Sequence, residues 1–328
     1  LSEAGVESVV FGGAEPNPKD TNVEAGLAFY QEHGCDSMIS LGGGSSHDCA
    51  KAIAIVATNG GKIRDYEGVN KLHTDVPPLL AINTTAGTAS EITRFCIITD
   101  TTRKVKMCII DWRVTPKVAV NDAELHKGMP ASLTAATGMD ALTHAIEAYV
   151  STDANPLTDA AALKAMEMIG HYFPKAVANG DYMKARDKMA YAQYLAGIAF
   201  NAAGLGICHS LAHALGGRFH LPHGRLNALI LPHVIHFNAA DGTAAEKYGR
   251  LAKLCGLAAN PRSLAAGLNR LRAQLKLPER LSACGVEGKE LTAALDGLAE
   301  AAQADLCAPS NPRPAAAEDL KSLLRELA

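Results

Sequence analysis

Histidines that could bind a metal ion are concentrated in the stretch GICHSLAHALGGRFHLPHG at residues 206–224. Six of the twelve histidines lie between residues 209 and 236. His209 and His213 are four residues apart, so a helix would place both on one face, and His223 follows a proline. Any one of them could be an ordinary core or surface histidine. As a set they favour a site for a borderline divalent ion, Fe²⁺ or Zn²⁺.

A carboxylate for such a site is available upstream, in ATGMDALTHAIEAYV at residues 136–150. Asp140 and His144 are four residues apart and have apolar neighbours, so both are predicted to point inward from one helical face. The two could also form only a buried hydrogen-bonded pair. Ser210 stands where an H-E-x-x-H motif needs its glutamate, which excludes a zincin-type protease.

A glycine turn in SMISLGGGSSHDCAKAIAIVA predicts a phosphate-binding loop between a strand and a helix. Gly43 and Gly44 allow close approach of the backbone, and Ser45 with the first N–H groups of the helix could hold phosphate oxygens. Asp48 would cap the helix or meet a ribose or substrate hydroxyl. His47 occupies the third glycine position of a Rossmann fingerprint and no P-loop lysine follows, so an ordinary strand–helix turn remains an alternative.

A second turn, in LLAINTTAGTASEITR, places small hydroxyl side chains after a buried strand. Thr84, Thr85 and Thr88 are suited to line a nucleotide crevice at the carboxyl end of that strand. The alternative is an ordinary helix cap by serine or threonine. Two such turns on successive strands favour a nucleotide site over two unrelated turns.

The pattern of elements changes near residue 128. Up to there, short β-rich runs (SVVF, SMISL, LLAIN, FCIIT, KMCII and VAV) alternate with helical stretches, which predicts a parallel sheet in an α/β domain over 1–128. Residues 129–328 show nine helical stretches and no β-rich run, which predicts an all-helical domain. The chain opens on the tail of a helix that feeds SVVF, so the dinucleotide-binding domain is expected to lack its first strand and helix.

Composition excludes several classes of function. The 328 residues carry a net charge of −3 without a basic run, which argues against a nucleic-acid partner. No apolar run is long enough for a membrane span and no signal peptide is recognisable, so a cytoplasmic protein is expected. The eight scattered cysteines form no C-x-x-C pair and are expected to be reduced.

Four stretches together resemble the iron-containing (group III) alcohol dehydrogenases: GGGSSHDCAKAIA, NTTAGTASEITR, AATGMDALTHAIEAY and HSLAHALGG with LPHG. The likeness covers essentially the whole chain and is greatest to the 1,3-propanediol dehydrogenase and NAD-dependent methanol dehydrogenase branch. It implies a dehydroquinate synthase-like architecture, with an α/β domain that binds NAD and a helical domain that binds Fe²⁺, Zn²⁺ being possible. It also implies a homodimer or a higher homo-oligomer.

The resemblance assigns roles to particular residues. It implies that Asp140, His144, His209 and His223 bind the metal and that His213, which is not a ligand, faces the cofactor and substrate. His213 is therefore the best candidate for moving the proton of the alcohol. The residues that it implies for NAD binding are Asn17, Gly43, Gly44, Ser45, Asp48, Thr84, Thr85, Thr88, Thr93 and Lys106. The implied reaction transfers a hydride between NAD and a short-chain primary alcohol or diol and yields the aldehyde.

Two other interpretations stay open from the sequence. Relatives of glycerol dehydrogenase and dehydroquinate synthase share this architecture and use zinc. The chain could also be a truncated, non-catalytic body that binds a metal through its helical part.

Overall fold

A computed structural model describes residues 1–328. Six strands lie in the first 120 residues: β1 Met38–Gly42, β2 Gly68–Val69, β3 Leu79–Asn83, β4 Phe95–Asp100, β5 Val105–Ile110 and β6 Val118–Val120. Two helices lie among them, α1 Asp20–Glu32 and α2 Gly44–Asn59. The remaining helices are α3 Ala131–Val150, α4 Pro156–Ala178, α5 Met183–Ala203, α6 Ile207–Phe219, α7 His223–Asn238, α8 Gly242–Leu254, α9 Pro261–Gln274, α10 Gly288–Ala304 and α11 Ala317–Glu326. The predicted change from an α/β region to a helical region is confirmed.

The strands form two small sheets rather than one. The first sheet has the order β1-β3-β6 and is parallel throughout, as predicted. In the second sheet, of order β2-β5-β4, β4 and β5 pair antiparallel. The prediction of a wholly parallel sheet was therefore wrong, because only four residues, 101–104, join these two strands, and a connection that short can build a hairpin but no crossover.

The stretch SVVF at residues 8–11 is not a strand, contrary to the sequence prediction. No strand lies between residue 5 and the start of β1, and Val10 is 87% exposed. β-Branched residues form a strand only where a neighbouring strand takes up their backbone hydrogen bonds, and these residues have no such neighbour.

Local sequence explains where several helices begin. Asn155 accepts hydrogen bonds from the N–H groups of Leu157 and Thr158, and Pro156 occupies the first turn of α4. Asn260 and Pro261 repeat this arrangement at the start of α9. A side-chain cap satisfies an N–H group that has no partner in the helix, and proline loses nothing at that position.

The two regions bury cores of different size. A cluster of 60 buried residues fills the helical region, whereas 16 residues form the core beneath the second sheet and α2. The outer face of the first sheet is covered incompletely, since Ile39 and Leu41 on β1 and Val118 on β6 are all more than 40% exposed. No single helix is long and apolar enough to cross a membrane; α5 and α6 meet that criterion only as a pair bent by 100°.

Candidate metal and cofactor site

One cleft between the two regions collects most of the predicted functional side chains. It is lined by all four predicted metal ligands, by His213 and by seven of the ten predicted cofactor residues, namely Asn17, Gly44, Ser45, Asp48, Thr88, Thr93 and Lys106. Asn17 and His223, which are more than 200 positions apart in the sequence, therefore face one space. Such a cleft between two regions is a common place for a cofactor and a substrate to meet.

The predicted metal ligands surround one carboxylate oxygen. The Nε2 atoms of His223, His209 and His144 lie 3.4, 3.7 and 3.8 Å from Oδ1 of Asp140. Metal–nitrogen bonds of about 2.1 Å in tetrahedral geometry put neighbouring ligand atoms about 3.4 Å apart, so each separation from Oδ1 of Asp140 suits a shared divalent ion. The ligand atoms of Asp140, His209 and His223 also lie within 4.8 Å of one another, a group that does not include His144. One carboxylate and three imidazoles are also the donors that Fe²⁺ and Zn²⁺ accept.

Helices α3, α6 and α7 hold these side chains. Asp140 and His144 share one face of α3, while His209 lies in the first turn of α6. His223 is the first residue of α7, which reaches α3 because Gly224 has no side chain: a Cβ there would lie 2.1 Å from the carbonyl oxygen of Ala136. The helices approach closely enough for the ligands to converge.

The charges of this cluster are strongly coupled. Burial alone would raise the pKa of Asp140, but the imidazoles of His144 and His223 lower it well below its usual range. Burial lowers the pKa of His144 to about 4. Burial also acts to lower the pKa of His209, yet the carboxylates of Glu147 and Asp140 raise it to about 9. The site thus holds an ionised carboxylate among imidazoles that differ in basicity.

Two neighbours of the ligands were not predicted from the sequence. The side-chain amide of Asn227 donates to Oδ1 of Asp140 at 2.7 Å and lies 3.2–3.3 Å from the Nε2 atoms of His223 and His209. Glu147 accepts a hydrogen bond from Nδ1 of His209. The spacing of Glu147 from Asp140 and His144 on α3 was a signal that could have revealed it, because positions 140, 144 and 147 share a helical face.

His213 lies next to the ligand cluster but is hydrogen-bonded to a different acid. Its Nδ1 donates to Oδ2 of Asp305 at 2.8 Å, and its ring stacks on that of His223 with 5.2 Å between centroids. Burial acts to raise the pKa of Asp305, but His213 lowers it to about 2, so the acceptor is ionised. Cys307 lies close by, yet burial raises the pKa of its thiol far above the ordinary value, which makes it a poor metal ligand.

The glycine turn and the threonine turn meet at the cleft. Gly44 and Ser45 begin α2, and the carboxylate of Asp48 faces the cleft and accepts a hydrogen bond from Ser90 at 2.7 Å. Asp48 therefore does not cap the helix, which was one of its two predicted roles. Burial raises its pKa, an effect that Lys51 opposes.

Three predicted cofactor residues do not line the cleft. Thr84 donates its N–H to the carbonyl of Gly42, and the N–H of Thr85 is held by the side chain of Asn83. Gly43 lies against the side chain of Thr85. These residues connect the two turns, and their predicted contact with NAD remains a prediction.

Lys106 supplies the positive charge of the cleft. Its Nζ donates to Oδ1 of Asn17 at 2.9 Å, which joins two predicted cofactor residues that are 89 positions apart. Burial lowers the pKa of Lys106 to about 8, although Asp48 and Asp140 counteract this. The backbone of Asn17 is left-handed, with φ of 54°, a conformation that asparagine tolerates well.

Comparison with known proteins agrees with this geometry. Residues 1–123 match the family model for iron-containing alcohol dehydrogenase, and residues 134–328 match the model for the C-terminal part of the same family. The chain is 47% identical to a 1,3-propanediol dehydrogenase of Klebsiella pneumoniae, over 99% of this chain and 84% of that protein. It is 46% identical to an NAD-dependent methanol dehydrogenase of Bacillus methanolicus, over 99% and 86%.

Solved structures give the same result. A crystal structure of a 1,3-propanediol oxidoreductase superposes with a TM-score of 0.94 at 46% identity, covering 100% of this chain and 86% of that one. An alcohol dehydrogenase from Oenococcus oeni gives the same TM-score and coverage at 39% identity. The chain belongs to the iron-containing alcohol dehydrogenase family and is an oxidoreductase that acts on alcohols. The resemblance drawn from its motifs is confirmed, including the branch, and the two other interpretations are not favoured.

Proposed function

We propose that the chain transfers a hydride between NAD and a short-chain primary alcohol or diol similar to 1,3-propanediol, with Fe²⁺ as its metal. The observation that carries this proposal is the single cleft that holds the four candidate ligands beside Ser45, Asp48 and Lys106. The names of the two relatives, a 1,3-propanediol dehydrogenase and an NAD-dependent methanol dehydrogenase, support small alcohols as substrates and NAD as the coenzyme.

In this proposal each region has its own task. Residues 1–128 hold the dinucleotide, with its diphosphate at the start of α2 near Gly44 and Ser45, where backbone N–H groups and the positive helix end favour anions. Lys106 and Asn17 close this part of the cleft. Residues 129–328 hold the metal through Asp140, His144, His209 and His223. Zn²⁺ suits the same donors and is the second candidate.

The reaction removes a hydride and a proton from the alcohol. The chemistry that a bound divalent cation supplies is Lewis acidity, which favours the alkoxide form of the alcohol. His213 is well placed for the proton: Nδ1 is engaged with Asp305, so Nε2 is the nitrogen that can accept it. Bound NAD would accept the hydride, and Gly44, Ser45 and Lys106, on the opposite side of the cleft from the metal ligands, are among the residues that would hold it.

Metal analysis and an alcohol panel test the proposal. Protein purified without added metal should contain close to one iron per chain and should reduce NAD with 1,3-propanediol, 1-propanol or methanol. The same panel with NADP tests the choice of coenzyme. Zinc content together with turnover of glycerol, and none of 1,3-propanediol, would contradict the proposal.

We also propose a cytoplasmic homo-oligomer. All eight cysteines are free, which suits a reducing compartment. The exposed apolar side chains on the first sheet suit an association with another surface. Light scattering of the purified chain tests the oligomer, and a monomer at micromolar concentration would contradict it.

A further inference from the structure

One buried acid in the helical region has no role in the proposed reaction. Glu147 lies on α3, on the helical face that also carries Asp140 and His144, and only 3% of its surface is exposed. A carboxylate is costly to bury unless partners compensate its charge and its lone pairs. The partners of Glu147 therefore indicate what it does.

Both oxygens of Glu147 are used, and both partners lie in the first turn of α6. Oε1 accepts the backbone N–H of Cys208 at 2.8 Å, and the other oxygen, Oε2, accepts from Nδ1 of the His209 side chain. The N-terminal end of a helix carries a partial positive charge, which stabilises the buried carboxylate further.

A glycine before α6 leaves room for Glu147 to reach the first turn of that helix. The residue before α6 is Gly206, and a Cβ there would lie 2.8 Å from Oε1 of Glu147 and 2.7 Å from Oδ1 of Asn311. That asparagine oxygen accepts the N–H of Ile207 at 3.2 Å. Two side chains from distant parts of the sequence thus hold the turn that carries His209.

His209 differs in this respect from the other two candidate ligands. Nδ1 of His144 and Nδ1 of His223 are buried and have no hydrogen-bond partner. A neutral imidazole has one N–H group and one nitrogen with a lone pair. A hydrogen-bond acceptor beside one nitrogen keeps the proton there, which leaves the lone pair of the other nitrogen available to a metal. Only His209 has such an acceptor, because Glu147 holds its Nδ1.

We propose that Glu147 is a positioning residue for the metal: it holds one proton of His209 on Nδ1, so that Nε2, beside Asp140, is the nitrogen that gives up its proton and presents its lone pair when a cation binds. This inference rests on the proposed metal site. Nε2 of His209 lies 3.7 Å from Oδ1 of Asp140, on the side of the ring opposite to Glu147. A carboxylate that accepts from the outer nitrogen of a ligating histidine fixes the ring and strengthens the ligand.

The substitution Glu147→Gln separates this role from a purely structural one. Glutamine has nearly the same shape, and its carbonyl oxygen can still accept the N–H of Cys208. Its amide group, however, is a donor, so next to His209 it favours a proton on Nε2, which then competes with the metal. A residue that only holds α6 in place would tolerate this change.

The measurement is the affinity of chelator-stripped protein for Zn²⁺, by competition with a chromophoric chelator. We expect Glu147→Gln to bind Zn²⁺ about 10–100-fold more weakly than the wild type. The thermal unfolding midpoint of the metal-free protein should change little. Glu326→Gln is the matched control, since Glu326 accepts from Nδ1 of His233 at 2.9 Å in an exposed pair far from the metal ligands. It should bind Zn²⁺ like the wild type.

The outcomes distinguish this inference from the proposed function. If Glu147→Gln binds Zn²⁺ within twofold of the wild type, the positioning role is overturned and the metal site stands. If folded wild-type protein binds no Zn²⁺, the proposed function is contradicted, and so is the positioning role of Glu147, which rests on it.

A second measurement uses the wild-type protein, so it does not require the Glu147→Gln variant to fold. In Zn²⁺-loaded wild-type protein with ¹⁵N-labelled histidine, NMR should show the His209 proton on Nδ1. The signal is assigned by its absence in His209→Gln. A proton on Nε2 overturns the inference.

Discussion

The two sides of the cleft hold their functional groups in different ways. On the metal side, Asp140, His144 and His209 project from long helices within a core of 60 residues, and all three are less than 5% exposed. On the cofactor side, Gly44 and Ser45 begin α2 and Thr88 lies in the loop after β3, and the core packed against α2 has only 16 residues. Packing within a large core positions the ligands, whereas a helix start and a loop position Gly44, Ser45 and Thr88 on the cofactor side.

This difference teaches where substitutions are expected to act. Side chains on the metal side depend on one another, since one carboxylate is shared by three imidazoles and a buried acid orients one of them. Groups on the cofactor side contribute more separately, because Ser45, Thr88 and Lys106 share no hydrogen bond with one another, although the bonds of Thr84 to Gly42 and of Ser90 to Asp48 connect the two turns. Single substitutions on the metal side should therefore cost more activity or metal affinity than substitutions on the cofactor side, and their effects should not be additive.

The largest effect is expected for Asp140→Ala, which removes the atom that the three imidazoles share. The variant should lose bound metal and dehydrogenase activity together, by metal analysis and NAD reduction. His171→Ala, an exposed histidine on α4, is the control and should keep both. Retention of metal with full activity in Asp140→Ala would contradict the assignment of Asp140 as the central ligand of the metal side.

His213→Ala should keep the metal and lower kcat by about 10²–10⁴-fold, which is the usual contribution of a group that transfers a proton. The ring is bonded to Asp305 and not to the ligand cluster, so the metal site should survive. Metal content and kcat measured on the same preparation check this. Loss of metal would make His213 a ligand and would contradict its assigned role.

Phe173→Ala tests how strongly the helical core supports the metal side. The ring of Phe173 is fully buried against α3 beside Gly138, two residues from Asp140. Removing a buried aromatic ring costs about 3–5 kcal/mol of unfolding free energy. Denaturant unfolding of the metal-free protein measures it, and a cost below 1 kcal/mol would show that this part of the core is loosely packed.

Gly44→Ala should affect the cofactor side alone. A Cβ at Gly44 would lie 2.7 Å from Oγ1 of Thr88, across the mouth of the cleft. We expect the Kd for NAD to rise about tenfold, or about 1.4 kcal/mol, as for a modest overpacking. Zn²⁺ affinity should be unchanged. A parallel loss of metal would show that the two sides are coupled after all.

The smallest expected effect is a pH dependence of the Kd for NAD that arises from Lys106. Burial lowers its pKa to about 8, below the ordinary value of a lysine, so the side chain is charged below pH 8 and becomes neutral above it. The attraction for the NAD diphosphate is therefore full below pH 8 and declines above it. The Kd for NAD should rise between pH 8 and 9.5 in the wild type and stay level in Lys106→Arg, because arginine keeps its charge. Equal pH profiles would contradict this role for Lys106.

Much of the architecture could be predicted from local patterns. Helical periodicity predicts nine helical stretches after residue 128, and the structure has nine helices there, α3 to α11. The pairs Asp140/His144 and His209/His213 follow from a spacing of four. Strand pairing could not be predicted as well. SVVF has the composition of a strand but no neighbour, and β4 and β5 look like other strands although they pair antiparallel.

By itself, the sequence determined the family, the helices and the residue types that can bind a metal, because motifs and periodicity are local properties of the chain. Only the tertiary structure decided which acid holds each histidine. Glu147 reaches His209 across 62 positions and Asp305 reaches His213 across 92. Such pairs depend on how α3, α6 and the turn after α10 pack together, and a single sequence carries no local signal for a contact between distant helices.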